Sequence, residues 1–254
     1  RRCSANSTRM RIGIDCRTIL SPNGECAGIG YYTTSLIRAL LALDQKNTYV
    51  LFCAEGMQDS LFASASNVVM RMFPRKQSIP FISSHVLPAG MIRKERLDVF
   101  HGPANVLPIG IRGKTVVTVH YLLIYTHPEW FQSGQWASKR VIVPRSIRRA
   151  NHVIAVSEHT RREVLRRFSV DPSYVSVIPE GGLCSEPKSA LSFKELQKKF
   201  HLSEQFAFFI GTIEPRKNLV RLVRAFDDFV EKEKKRIGDF QFVIAGKKGW
   251  KYED

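Results

Sequence analysis

The sequence predicts an α/β fold: one doubly wound parallel-sheet domain, then the start of a second. Three observations predict it. Apolar strand-like runs alternate with helical stretches over residues 10–178, and such alternation demands crossover connections and a parallel sheet. The run 115–120 (TVVTVH) is β-branched and unbroken, as a strand covered on both faces must be. The alternation stops over 179–192, rich in Pro, Gly and Ser, and then resumes. That composition suits a linker, so the domains are read as 10–187 and 188–254.

The elements follow in order. Residues 10–16 (MRIGIDC) form the first strand. The turn formers Ser21-Pro22-Asn23-Gly24 lead to Gly28-x-Gly30, and a helix follows with Tyr32, Leu36, Leu40 and Leu43 at helical spacing. Strands are predicted over 48–53 and 67–73, then a helix over 82–95 that Pro88 and Gly90 interrupt. A short strand over 98–101 precedes the buried one over 115–120. The stretch 134–150 is an amphipathic helix in which Pro144 places a kink. A strand over 152–156, Ser157 as the N-cap of the next helix, and a strand over 174–178 complete the first domain. Beyond the linker come a helix over 193–200 and a buried strand over 206–210. A helix then carries Leu219, Leu222, Val223, Phe226 and Phe229 on one face, and a strand covers 240–245.

Composition narrows the function classes. At 44% hydrophobic and 24% charged residues the chain is globular, not disordered. No apolar run reaches the length of a membrane span, and the first residues do not form a secretory signal. The five cysteines (Cys3, Cys16, Cys26, Cys53, Cys184) are scattered and form no C-x-x-C pair. That argues against a disulfide framework or a metal site and for a reducing, cytoplasmic compartment. Lys and Arg outnumber Asp and Glu by 39 to 23, a net charge of +16, which favours anionic partners. Nucleic acid is set aside, since no RNA-recognition signature or zinc finger is present. Part of the excess lies in Arg140, Arg145, Arg148, Arg149, Arg161, Arg162, Arg166 and Arg167. These read either as a solvated helix face or as a peripheral contact with an anionic membrane. With no initiating Met, and with an end just after a strand, the chain is expected to be a piece of a longer protein.

Five places could carry chemistry. Gly211-Thr212-Ile213-Glu214-Pro215-Arg216-Lys217-Asn218 follows a strand and precedes a helix. A helix start offers unpaired N–H groups and the positive end of the dipole. Arg216 and Lys217 added there suit a phosphate or diphosphate, or else make a solvated basic turn. Gly28-x-Gly30 sits between the first strand and its helix and lacks the third glycine of G-x-G-x-x-G, so close ligand approach and a plain tight turn both stay open. His120, the candidate catalytic residue, ends the buried strand, where open parallel sheets bind ligands; it contacts substrate or handles a proton, or else satisfies nearby backbone. His101 ranks below it. Glu180-Gly181-Gly182 lines a cleft or serves as a hinge. No Walker loop, G-x-S-x-G or His-x-x-His is present.

Five segments in this order and spacing resemble the retaining glycosyltransferases of family 4, with their GT-B architecture of two Rossmann-like domains, here with the second incomplete. They are GIGYYTTSLIRALLALD (28–44), DVFHGPANVLP (98–108), VVTVHYLLIYTHPEWF (116–131), HVIAVSEHTRREVLRRFSV (152–170) with VSVIPEGG (175–182), and FIGTIEPRKNLVRLVRAF (209–226) with FVIAGKKGW (242–250). The likeness is greatest to the mannosyltransferase-type enzymes of polysaccharide and O-antigen (lipopolysaccharide) assembly. It implies a nucleotide-diphosphate sugar as co-substrate, no further cofactor, and a glycan or lipid-linked acceptor. It implies that Arg216 and Lys217 hold the donor diphosphate, that Gly28 and Gly30 face donor and acceptor, that His120 lies near the reacting sugar, and that Glu180 and Gly181 sit at the cleft and hinge. No nucleophile is implied. Tyr121 stands where the family usually has Asp, Thr212 where an Arg is frequent, and Glu180-Gly181-Gly182-Leu183 where Asn-Gly-Val-Asp is usual. A pair of glutamates that the family carries further along its second domain is not in this sequence, so the chain alone is expected to be inactive. Two other readings are a non-catalytic nucleotide- or glycan-binding module and a sugar-nucleotide epimerase of the same architecture.

Overall fold

The computed structural model describes residues 9–19, 28–57, 62, 65–73, 86–131, 135–182 and 191–250. The predicted turn at 21–24, the boundary at 187/188, and Cys3, Cys26 and Cys184 lie outside the described residues. The chain divides into two compact units, Arg1–Thr126 with Gly134–Gly181, and His127–Ser133 with Gly182–Asp254.

The first unit holds seven strands: β1 (Arg11–Asp15), β2 (Thr48–Ala54), β3 (Val68–Phe73), β4 (Val99–Gly102), β5 (Lys114–Val119), β6 (His152–Ala155) and β7 (Val175–Val177). They form one sheet in the order β3-β2-β1-β4-β5-β6-β7, and every pairing is parallel. The order reverses between β1 and β4, which is where such sheets open a crevice beyond their carboxyl ends. Among the described residues four helices connect the strands: α1 (Gly28–Leu43), α2 (Leu87–Lys94), α3 (Gln135–Arg149) and α4 (Glu158–Phe168).

Strand β2 shows why the sheet is covered on both faces. Val50 and Phe52 join a core with Phe100, Val117, Val119 and Val153 of the sheet and Val143, Ile147, Val164 and Phe168 of α3 and α4. Tyr49, Leu51 and Cys53 point the other way, into a core with Ile14 of β1 and Ile37 of α1. Alternate residues serve opposite faces, so a strand between two helical layers must be apolar throughout. Cys16 and Cys53 are buried free thiols.

Local signals hold at the helix ends. Ser157 is the N-cap of α4 and its hydroxyl accepts from Thr160 N–H. Pro88, expected to interrupt a helix, instead sits in the first turn of α2. A proline is tolerated there because that N–H has no intrahelical acceptor. Gly90 lies within the same helix.

The second unit holds α5 (Phe193–Phe200), β8 (Phe206–Ile210), α6 (Leu219–Ile237) and β9 (Gln241–Ala245). The two strands pair in parallel. A capping box between Ser192 and Glu195 starts α5. Phe226 of α6 stacks on Phe242 at 5.2 Å between ring centroids, so α6 covers one face of the pair. The expectation of a buried β8 is corrected: Phe208 is 57% and Ile210 72% exposed. Among the described residues β8 has one neighbouring strand, β9, and the ring of Phe193 lies 6.1 Å from that of Phe206. Leu222, Val223 and Phe229 of α6 are also exposed. Among the described residues no helix is long and apolar enough to cross a membrane.

Candidate functional site

The carboxyl ends of β4, β5 and β7 converge on His120. Its neighbours hold it on every side. Its backbone N–H donates to Asn105 Oδ1 at 2.8 Å, and its carbonyl accepts from the Thr160 hydroxyl at 3.2 Å. Nε2 lies 2.7 Å from the Pro103 carbonyl. Nδ1 lies 2.5 Å from Glu180 Oε1. The edge of the ring meets Tyr32 of α1, with centroids 4.8 Å apart.

Hydrogen counting fixes what this histidine can do. A carbonyl only accepts, so Nε2 carries a proton and donates to Pro103. The short Nδ1–carboxyl contact needs one proton between its two atoms. Both ring nitrogens are therefore engaged inside the protein. The His120 side chain is buried, whereas that of Glu180 is 46% exposed. The reachable polar group at this place is the carboxylate, and the histidine stands behind it.

Gly102 makes the arrangement possible. It is buried, and a Cβ there would run into the Val106 carbonyl and the Leu107 side chain. The chain after β4 turns back sharply, which brings Pro103 and Asn105 to His120. Asn105 takes a left-handed conformation (φ 64°), tolerable for Asn, and its N–H donates to the Thr118 carbonyl at 2.9 Å.

His101, ranked lower from sequence, belongs to the same cluster. Its Nε2 lies 2.8 Å from Thr118 Oγ1, and the Tyr32 hydroxyl lies 3.2 Å from that same oxygen. Burial, and secondarily the neighbouring His120, lower the His101 pKa to about 4. It is a neutral imidazole at physiological pH. Burial likewise raises the Tyr32 pKa. From sequence Tyr32 is only one of the residues at helical spacing in the first helix, and Thr118 only a β-branched residue of a buried strand.

Gly28 and Gly30 lie in the first turn of α1, not in a loop before it. The helix begins at Gly28, one turn ahead of Tyr32. A Cβ on Gly28 would meet nothing within 4 Å, so space does not require glycine there. Gly181 and Gly182 are exposed and would also accept a Cβ without contact; the division between the units falls between them.

Arg216 and Lys217 belong to the second unit. Pro215–Lys217 form a single 3-10 turn that ends at Asn218, which has a left-handed conformation (φ 52°) and begins α6. Within the turn Arg216 is ion-paired with Glu214, whose side chain is 4% exposed. A buried carboxylate beneath the guanidinium restricts its position and halves the charge of the pair of cations.

A second basic turn lies alongside. Ile213 bridges to Lys248, and Ile213 N–H donates to the Lys247 carbonyl at 3.0 Å. Arg216, Lys217, Lys247 and Lys248 thus sit on two paired turns at the carboxyl end of the β8–β9 pair. Gly246 packs directly on Gly211, where a Cβ at 246 would overlap the Gly211 carbonyl. Among the described residues no group of three or more His, Cys, Asp or Glu side chains is arranged to hold a metal.

Comparison with known proteins agrees with this architecture. The chain is 25% identical over 239 residues to O-antigen chain mannosyltransferase B of Escherichia coli, covering 88% of this chain and 61% of that protein. It therefore spans about three-fifths of the length of that relative. Among solved structures it is similar to Anabaena Alr3699/HepE in complex with UDP and glucose, with a TM-score of 0.57 and 15% identity over 93% of this chain and 69% of that one. It is also similar to a trehalose-6-phosphate protein of E. coli bound with UDP-2-fluoro glucose, with a TM-score of 0.58 and 12% identity over 94% of this chain and 65% of that one. These similarities support the GT-B fold. The family model for Glycosyltransferase Family 4 matches residues 27–181, well over half of the chain, and the chain belongs to that family.

Proposed function

We propose that the full protein is a glycosyltransferase that moves a hexose, mannose-like, from a nucleotide-diphosphate sugar to a glycan or lipid-linked acceptor with retention of configuration. It works at the cytoplasmic side, in peripheral contact with an anionic membrane. One observation carries the reading: Arg216, set on a buried Glu214, stands with Lys217 on a tight turn at the carboxyl end of a parallel strand pair. Such a turn suits a diphosphate. Positive charge fixed there stabilises the charge that develops on a departing diphosphate, the task a metal ion performs in other enzymes. The family match and the mannosyltransferase name of the 25% identical relative support the sugar-transfer part. UDP bound to a neighbour of the same fold supports the class of donor.

A thermal shift of the chain with GDP, UDP and dTDP tests the donor side. A stabilising shift is expected with at least one of them, and Arg216→Ala is expected to abolish it. An unchanged shift in that variant places the diphosphate elsewhere. Incubation with nucleotide sugars tests the reaction; little or no turnover is expected of these 254 residues alone, and robust turnover would overturn that part.

A second reading, a non-catalytic nucleotide- or glycan-binding module, draws on His120, whose ring nitrogens both bond within the protein. A transferred sugar detected on any acceptor rules it out.

A further inference from the structure

Helices α3 and α4 of the first unit flank an open groove of about 860 Å³. Five arginines line it: Arg140, Arg145, Arg148 and Arg149 from α3, and Arg167 from α4. No lining residue is acidic. The helix pattern dictates this. Ile142, Val143, Ser146 and Ile147 are buried inward, which leaves the arginine positions facing out.

Part of this charge is structural. Arg167 pairs with Glu163 at 2.8 Å and lies over the Tyr125 ring. Arg148 lies over Phe168 and approaches its carbonyl. Arg145 and Arg149 are different: among the described residues neither has a carboxylate partner. Between these cations Val141 stands 62% exposed, and the half-buried Pro144 and Tyr125 add further apolar surface to the groove. Val141 gives the groove an apolar element among its guanidinium groups. A free anion would use the arginines and ignore the Val. An anionic amphiphile uses both, since phosphate meets guanidinium while the apolar stems lie along apolar surface.

We propose that this groove is a docking surface for the headgroups of anionic phospholipids in a bilayer. The inference deepens the membrane contact of the proposed function and rests on it. The test below reads no sugar transfer, so membrane docking and catalysis can fail separately.

Flotation with phosphatidylcholine vesicles, with and without phosphatidylglycerol, tests it. The protein is expected to float only with the phosphatidylglycerol vesicles and to be released by sodium chloride, as screened surface charge requires. Arg145→Glu with Arg149→Glu is expected to lower the bound fraction at least tenfold. The milder Arg145→Gln with Arg149→Gln guards against misfolding, and both are checked for an unchanged melting temperature. Val141→Asp is expected to weaken binding in either salt. Equal flotation with both vesicle types, flotation with neither, or full binding by the arginine variants overturns the proposal. So does displacement by inorganic phosphate at an ionic strength where chloride does not displace, because the groove then serves a free phosphate.

Discussion

Glu180 reaches back across 60 residues of sequence to His120, its Oε1 2.5 Å from Nδ1, while the Pro103 carbonyl sits 2.7 Å from Nε2. The imidazole is thus a strut between the turn after β4 and the segment that leaves β7. In the proposed transferase it acts as a positioning residue, and the exposed carboxylate of Glu180 is the group a ligand can meet.

Removing each partner separates these roles. His120→Ala leaves several polar groups unpaired in a buried place and is expected to cost about 2–4 kcal/mol of folding stability. Glu180→Ala breaks a half-exposed bond and is expected to cost about 1 kcal/mol. Chemical denaturation measures both. Equal losses would show that Glu180 does not stand on the solvent side of the pair.

His101 makes stability depend on pH. The unfolded chain takes up its proton near the ordinary value of 6.5, the folded chain only near 4. This contribution is complete above 6.5 and is lost as pH falls through that window. The whole gap corresponds to roughly 3 kcal/mol. His101→Gln is expected to remove that part of the slope in unfolding free energy between pH 7 and pH 4. An unaltered slope would mean that other groups set the acid response.

Gly102→Ala is expected to destabilise the first unit by about 2 kcal/mol, because the added methyl meets the Val106 carbonyl, which cannot swing aside as the Leu107 side chain can. The shift falls on the turn that supplies Pro103. The imidazole Nε2 proton of His120, followed by NMR, is expected to lose its hydrogen-bonded chemical shift. A variant with wild-type stability and an unmoved resonance contradicts the close approach.

Glu214→Gln leaves Arg216 in place but without its charge partner. A loss of about 1–2 kcal/mol in stability is expected, with nucleotide-diphosphate affinity down roughly fivefold as the guanidinium loses its fixed position. Calorimetric titration with GDP and UDP measures it. Tighter binding in the variant would mean that Glu214 acts mainly by neutralising charge.

Much of the fold could be read from the chain because buried parallel strands announce themselves. The run ending at His120 is β-branched and unbroken, and Ser157 caps the helix after β6 as its type suggests. The site was less legible for a physical reason: its contacts join residues far apart in sequence. Nothing local to Glu180 says that its carboxyl meets His120, and nothing local to Glu214 says that it is buried. The Thr118 hydroxyl looked like one more β-branched strand residue, yet it bonds with His101 and Tyr32. The exposure of β8 is not legible in its apolar run, because such a run reports what a strand could bury, whereas exposure depends on how many neighbours cover it.

The backbone contact between Gly211 and Gly246 turns two separate basic turns into a calliper. The spacing of its jaws is fixed by one peptide unit resting on another, so exchanging Lys for Arg at the tips alters grip but not gauge. A side chain at position 246 would widen the gauge itself, and with it the size of anion that the tips could span.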